Sequence, residues 1–226
     1  MKISILGSGA VGQTLGKSLS DSGHEVVIGT RTPASLDEKR GYAASLKDWL
    51  ASLTRRASVA TFAESAAHGE VVINATSGRG SIEALNHAGA MNLDGKILID
   101  VSNPLDFSKG MTPSLTICNT DSLGELIQRS VPGAKVVKTL NTVTAELMVA
   151  PHKVAQGNHG LFVCGNDESA RKQVAVWLNE WFGWKPEQIV DLGDITAARG
   201  TEMYLPLWVR LYGQLGTSMF GISIVR

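Results

Sequence analysis

Apolar positions along the chain fall into two kinds of cluster. One kind is a short run: Ile3, Ile5 and Leu6, then Val26 to Ile28, Val71 to Ile73, Ile97 to Ile99, Val136 and Val137, and Leu161 to Val163. Runs of this length that end at glycine or a small polar residue predict buried parallel strands. Between them apolar residues recur at helical spacing: Val11, Leu15 and Leu19; Trp49, Leu50 and Leu53; Leu123, Leu126 and Ile127; Val174, Ala175, Trp177, Leu178 and Trp181. Strands alternating with helices predict an α/β fold, a Rossmann-type doubly wound and mostly parallel sheet. Residues 1–150 are assigned to the Rossmann domain and 151–226 to a small, mainly helical C-terminal part. A helix is expected over Ile82 to Met91, a Gly/Pro-punctuated covering loop over Asp106 to Asn119, and mostly helix from Asp194 to the end. That last stretch holds Met203, Tyr204, Leu205, Leu207, Trp208, Val209, Leu211, Tyr212 and Leu215. So apolar a helix must bury its face, in its own core or in a partner; a homodimer is favoured.

The first strand ends in Gly7-Ser8-Gly9-Ala10-Val11-Gly12, and a helix follows. Gly7 permits a tight turn, Gly9 lets a pyrophosphate approach the backbone, and Gly12 lets helix and strand lie close. The helix N-terminus presents free N–H groups and partial positive charge to phosphate. With the second strand closing a βαβ unit, the pattern predicts a dinucleotide site. An NAD site has Asp or Glu at the end of the second strand. This chain has Gly29-Thr30-Arg31-Thr32 there, and its first acid is Asp37. Thr30 can donate to a 2′-phosphate and Arg31 offers it a planar, permanent cation, with Lys39 and Arg40 adding positive field. NADP(H) is the expected cofactor.

Ligands of a doubly wound sheet sit outside the carboxyl ends of its strands. Three such ends deliver Asn or Thr: Asn74-Ala75-Thr76, Ser102-Asn103-Pro104, and Thr139 with Asn141. They suit an uncharged polar pocket for a carboxamide and a planar ring. No catalytic residue stands out. The five histidines lack metal-ligand spacing, so no metal is expected, and Cys118 and Cys164 read as small packing residues. Tyr42, Tyr204 and Tyr212 have no lysine four residues on, which excludes the short-chain reductase proton donor. Lys138 is the only lysine near a polar strand end and reads as structural. Hydride transfer to a second redox ring fits best, because the protein then supplies orientation. Reduction of a small carbonyl or imine, or a non-enzymatic NADP-binding sensor, are the alternatives.

Composition narrows the setting. Lys+Arg and Asp+Glu are each 21 in 226 residues, so nothing argues for nucleic acid or a membrane surface as partner. Two distant cysteines and no signal-like apolar core suggest a reduced, cytoplasmic protein.

Along nearly the whole chain the residues resemble the NADP oxidoreductases that use a deazaflavin, coenzyme F-420. The likeness is carried by Gly7 to Gly12, Gly29-Thr30-Arg31, Asp100 to Leu105, Lys138-Thr139-Leu140-Asn141-Thr142, and Thr196 to Met203. The resemblance implies a Rossmann domain with a small helical C-terminal part, a dimer, and NADP with its 2′-phosphate at Thr30-Arg31. It implies a small-molecule redox acceptor, coenzyme F-420 or FMN. Cytoplasmic domains of six-transmembrane metalloreductases look like more distant relatives.

Overall fold

The computed structural model describes residues 1–39, 43–55, 57–111 and 113–225; Arg40 and Tyr42, considered above, lie outside the described residues. The strands are β1 (Lys2–Leu6), β2 (Glu25–Thr30), β3 (Ser58–Thr61), β4 (Val71–Asn74), β5 (Ile97–Asp100), β6 (Leu105–Asp106), β7 (Ser114–Leu115), β8 (Lys135–Thr139), β9 (Leu161–Cys164) and β10 (Ile189–Asp191). The α-helices are α1 (Ala10–Asp21), α2 (Leu46–Ala51), α3 (Phe62–His68), α4 (Gly78–Ala88), α5 (Ala90–Leu93), α6 (Leu123–Ser130), α7 (Ala145–Val149), α8 (Glu168–Phe182), α9 (Ala198–Met203) and α10 (Leu205–Leu215). Among the described residues eight strands form one sheet in the order β3-β2-β1-β4-β5-β8-β9-β10. Within that sheet, among the described residues, only the β8–β9 pairing is antiparallel. The strands of residues 151–226 therefore extend the same sheet as those of 1–150.

Alternation along each strand separates two packing layers. Ile3, Ile5, Ile73, Ile99 and Val137 face one layer with Leu15, Leu19, Val174 and Leu178; Leu6, Val72, Leu98 and Val136 face the other with Leu85, Leu123 and Ile127. Strand order reverses between β1 and β4, which opens the crevice at their carboxyl ends. Register matters as much. Leu6 pairs with Asn74, Asn74 with Asp100, and Asp100 with Lys138. Residues level with one another in a sheet point to the same face, so Asn74, Asp100 and Lys138 form a polar row under the crevice.

Three expectations need correction. Helix α4 begins at Gly78, ahead of Ile82, and stops at Gly89, whose φ of 85° no other residue adopts easily. The segment from Asp106 to Asn119 is not wholly loop: β6 and β7 pair as a two-stranded ribbon, with Leu105 opposite Leu115. The terminal helix ends at Leu215 on a left-handed Gly216, and residues 217–225 form no regular element. Part of that tail returns to the sheet, where the Gly160 N–H donates to the Ile222 carbonyl at 2.7 Å. In α10 only Leu205 is fully buried; Trp208, Val209 and Leu211 are half-buried, while Leu207 and Leu215 are each more than half exposed, so the chain covers this helix only in part.

Candidate functional site

The glycine-rich turn is built as its spacing predicts. Gly7 has φ 120°, and a Cβ there would lie 2.6 Å from the Ala75 carbonyl oxygen. A Cβ on Gly12 would lie 2.0 Å from the Gly7 carbonyl oxygen, so α1 can pack this close to β1 only through glycine. Gly9 differs: a Cβ would meet nothing within 4 Å, because it would point into open space. Gly9 is also the N-cap of α1, with no side chain capping the helix and no acid in its first turn. Free N–H groups and the positive end of the helix thus face an open cradle, the arrangement that suits a pyrophosphate.

That cradle is part of a cavity of about 450 Å³ lined by Gly7, Ser8, Gly9, Thr30, Arg31, Ala75 and Thr76, with Phe62, Ser77, Arg79, Gly80, Glu83 and Ala84. Thr30 is buried and its hydroxyl accepts from Ser8 Oγ at 3.4 Å, whereas Arg31 is exposed at the lip. A neighbouring cavity of about 570 Å³ shares Ala75, Thr76, Ser77 and Arg79 with the first. Val11, Gly78, Val101, Ser102 and Asn103 line it from the sheet side, and Leu105, Phe107 and Ser108 of the ribbon line it from above. The shape, the Cβ-free approach at Gly9 and the cation at the lip fit a 2′-phosphorylated dinucleotide laid across the crevice.

Of the sequence-predicted site residues, Gly7, Ser8, Gly9, Val11, Thr30, Arg31, Ala75, Thr76 and Asn103 line one or both cavities. Ala10, Gly12, Asn74, Pro104 and Asn141 do not. Asn74 is fully buried; its amide donates to Asp100 Oδ1 at 2.9 Å and to Ser81 Oγ at 3.2 Å, and its Oδ1 accepts from Thr76 Oγ1 at 2.7 Å. Asn103 and Asn141 tie to each other: Asn103 Nδ2 donates to the Asn141 carbonyl at 2.8 Å, and Asn141 Nδ2 donates to Asn103 Oδ1 at 3.0 Å and to the Thr201 carbonyl at 3.2 Å. The Pro104 carbonyl accepts from the Thr116 N–H at 2.8 Å, which holds the ribbon's far arm. These residues brace the rim.

The polar pocket expected at the strand ends has charged groups beneath it. Lys138 Nζ lies 2.8 Å from Asp100 Oδ2 and 2.8 Å from Glu202 Oε1, with all three side chains buried. Burial alone would push the Lys138 ammonium down, but the Asp100 and Glu202 carboxylates more than offset it and hold it above its ordinary value. The charge lies below the rim, so the lining itself stays polar. Arg79 was also missed. It lines both cavities and donates from Nη2 to Asp106 Oδ1 at 3.0 Å, joining the first turn of α4 to the ribbon. Its place one residue into the helix after β4 is the signal that could have found it. Among the described residues no His/Cys/Asp/Glu group could hold a metal ion, and no helix is long and apolar enough to cross a membrane.

A family model described as NADP oxidoreductase, coenzyme F420-dependent, matches residues 2–104. The crystal structure of a candidate F420-dependent NADP-reductase from Arthrobacter sp. FB24 is 52% identical, covers 100% of both chains and superposes with a TM-score of 0.93. Metalloreductase STEAP3 of Rattus norvegicus is 31% identical over 211 residues, 92% of this chain; the chain spans 38% of that relative's length. A reductive aminase from Aspergillus terreus, solved with NADPH and ethyl levulinate, is 19% identical with a TM-score of 0.63, covers 95% of this chain and 62% of its own, and shares the fold.

Proposed function

The chain belongs to the family of coenzyme F-420-dependent NADP oxidoreductases, and from that premise we propose that it moves a hydride between NADP(H) and the ring of a deazaflavin or flavin. The lining of the second cavity carries this reading. Among the described residues it consists of apolar, Ser, Thr and Asn side chains, glycine and one arginine, with no His, Tyr, Lys, Asp or Glu. A small carbonyl needs a proton delivered to its developing alkoxide, and this lining offers no group suited to give one up. A planar ring needs alignment with the nicotinamide. The 52% identical neighbour, named for coenzyme F-420, supports the same acceptor class.

Bound NADPH would supply the hydride. Gly7, Ser8, Gly9, Ala10, Val11 and Gly12 would hold its pyrophosphate through the turn and the uncapped α1 N-terminus. Thr30 and Arg31 would hold the 2′-phosphate. Ala75, Thr76 and Asn103 would flank the nicotinamide, with Asn74, Pro104 and Asn141 keeping that rim in place. Leu105 and Phe107 would cover the acceptor ring and exclude water. The partly uncovered apolar face of α10 supports a homodimer, and two unpaired thiols suit a reducing, cytoplasmic setting.

Following NADPH oxidation by absorbance with coenzyme F-420, with FMN and without acceptor tests the proposal. Turnover with either ring and none in its absence is expected. Tight NADPH binding with turnover only on small carbonyls or imines would overturn it.

A further inference from the structure

Beneath the rim of the second cavity lies a charge cluster that the binding scheme leaves unused. Lys138 Nζ donates to Asp100 Oδ2 at 2.8 Å, to Glu202 Oε1 at 2.8 Å and to the Ser102 carbonyl at 2.6 Å. Asp100 Oδ1 accepts from Asn74 Nδ2, from the Ser102 N–H and from the Ser102 hydroxyl. Glu202 accepts the Leu123 and Gly124 N–H groups at 2.8 and 2.9 Å, the opening turn of α6. Every hydrogen-bond neighbour of the two carboxylates is a donor, the surroundings of anions. Two carboxylates and one ammonium leave one negative charge in excess. The N-terminus of α6 offsets roughly half of it.

Nearby groups do not cancel the remainder. The Cys164 thiol, level with Lys138 in the sheet, is pushed up to about 12, chiefly by burial, and stays neutral. Arg199 pairs with Glu125, Arg171 with Asp191, and Arg79, the cation in the wall of the second cavity, with Asp106. The cluster also touches the cavity wall directly. Ser102, a lining residue, is held by Asp100 through its N–H and hydroxyl and by Lys138 through its carbonyl.

A nicotinamide that has given up hydride carries a positive ring charge; before transfer the ring is neutral. A fixed negative charge in a poorly solvated interior favours the cationic form. We propose that the Asp100–Lys138–Glu202 cluster, through its excess negative charge beneath the Ser102–Asn103 rim, poises the bound nicotinamide towards hydride donation. The inference rests on that rim being the nicotinamide end of the site. These are positioning residues, since none touches the reacting atoms.

Glu202→Gln removes the excess charge while keeping a side chain that can still accept from α6. The dissociation constants of NADP⁺ and NADPH are measured separately for wild type and variant by titration calorimetry. NADP⁺ binding is expected to weaken relative to NADPH by about 3- to 10-fold, where tenfold corresponds to ~30 mV in the bound two-electron potential. Asp100→Asn removes the same charge from a different element and is expected to move the ratio in the same direction, should Glu202→Gln not fold. A purely structural role would weaken both forms alike, and an unchanged ratio in a folded variant overturns the inference. Failure of the wild-type protein to bind either form would instead overturn the reading of the cavity.

Discussion

Lys138→Met is expected to lower the unfolding free energy by about 3–5 kcal/mol, the cost of leaving buried charge without its partner. The substitution keeps most of the side-chain volume but deletes the cation between Asp100 and Glu202, and all three groups are sealed from solvent. The two carboxylates would then face each other inside the protein, and the Ser102 carbonyl would lose its donor. Urea unfolding monitored by tryptophan fluorescence measures the loss; a change below about 1 kcal/mol would mean that water reaches the cluster. The pH dependence has a definite sign. Because the folded ammonium titrates above its ordinary value, its contribution is fully present below the unfolded-state value near 10.4 and is lost only as pH rises through the folded one. Across neutral pH the Lys138 contribution should therefore stay flat.

Gly12→Ala and Gly9→Ala should separate folding from binding at one turn. The Gly12 methyl would lie 2.0 Å from backbone oxygen, so α1 must move off β1 and carry its N-terminus with it. About 1–3 kcal/mol of stability should be lost, together with tenfold or more in NADPH affinity. Gly9 has an extended backbone at φ −79°, which alanine adopts freely, and its new methyl would touch no protein atom. Its stability should stay within about 0.5 kcal/mol of wild type, while the methyl fills the cradle and NADPH affinity falls at least as far. Parallel urea unfolding and NADPH titrations of the two variants check the contrast. Normal NADPH binding by Gly9→Ala would place the pyrophosphate elsewhere.

The glycine turn was legible because each glycine answers a local demand that spacing encodes. The strand-end polar residues were legible as a group, since parallel strands of a doubly wound sheet bring their carboxyl ends to one edge. Their individual roles were not. Asn74 and Asn141 turn inward because partners at Asp100 and Thr201, remote in sequence, claim their amides. The buried cluster depends on sheet register and on a helix near the chain's end, and no local pattern links Asp100, Lys138 and Glu202. Helix α4 hid its first turn behind Gly78 and Gly80, poor helix formers; Gly78 is required because a Cβ would lie 2.1 Å from the Asn103 carbonyl oxygen. The end of α10 was a signal overlooked: Gly216 adopts the left-handed conformation that stops helices.

Selectivity between NADPH and NADH tests the account most directly, measured by titrating both into the wild-type protein and Arg31→Ala. Arg31 lines the first cavity from an exposed position, so its removal should leave folding intact. The variant is predicted to lose about 1–3 kcal/mol of NADPH affinity, the scale of a charge-assisted hydrogen bond, roughly 5- to 150-fold, with NADH nearly unaffected. Equal losses for both dinucleotides, or none for either, would contradict a 2′-phosphate held at Thr30 and Arg31.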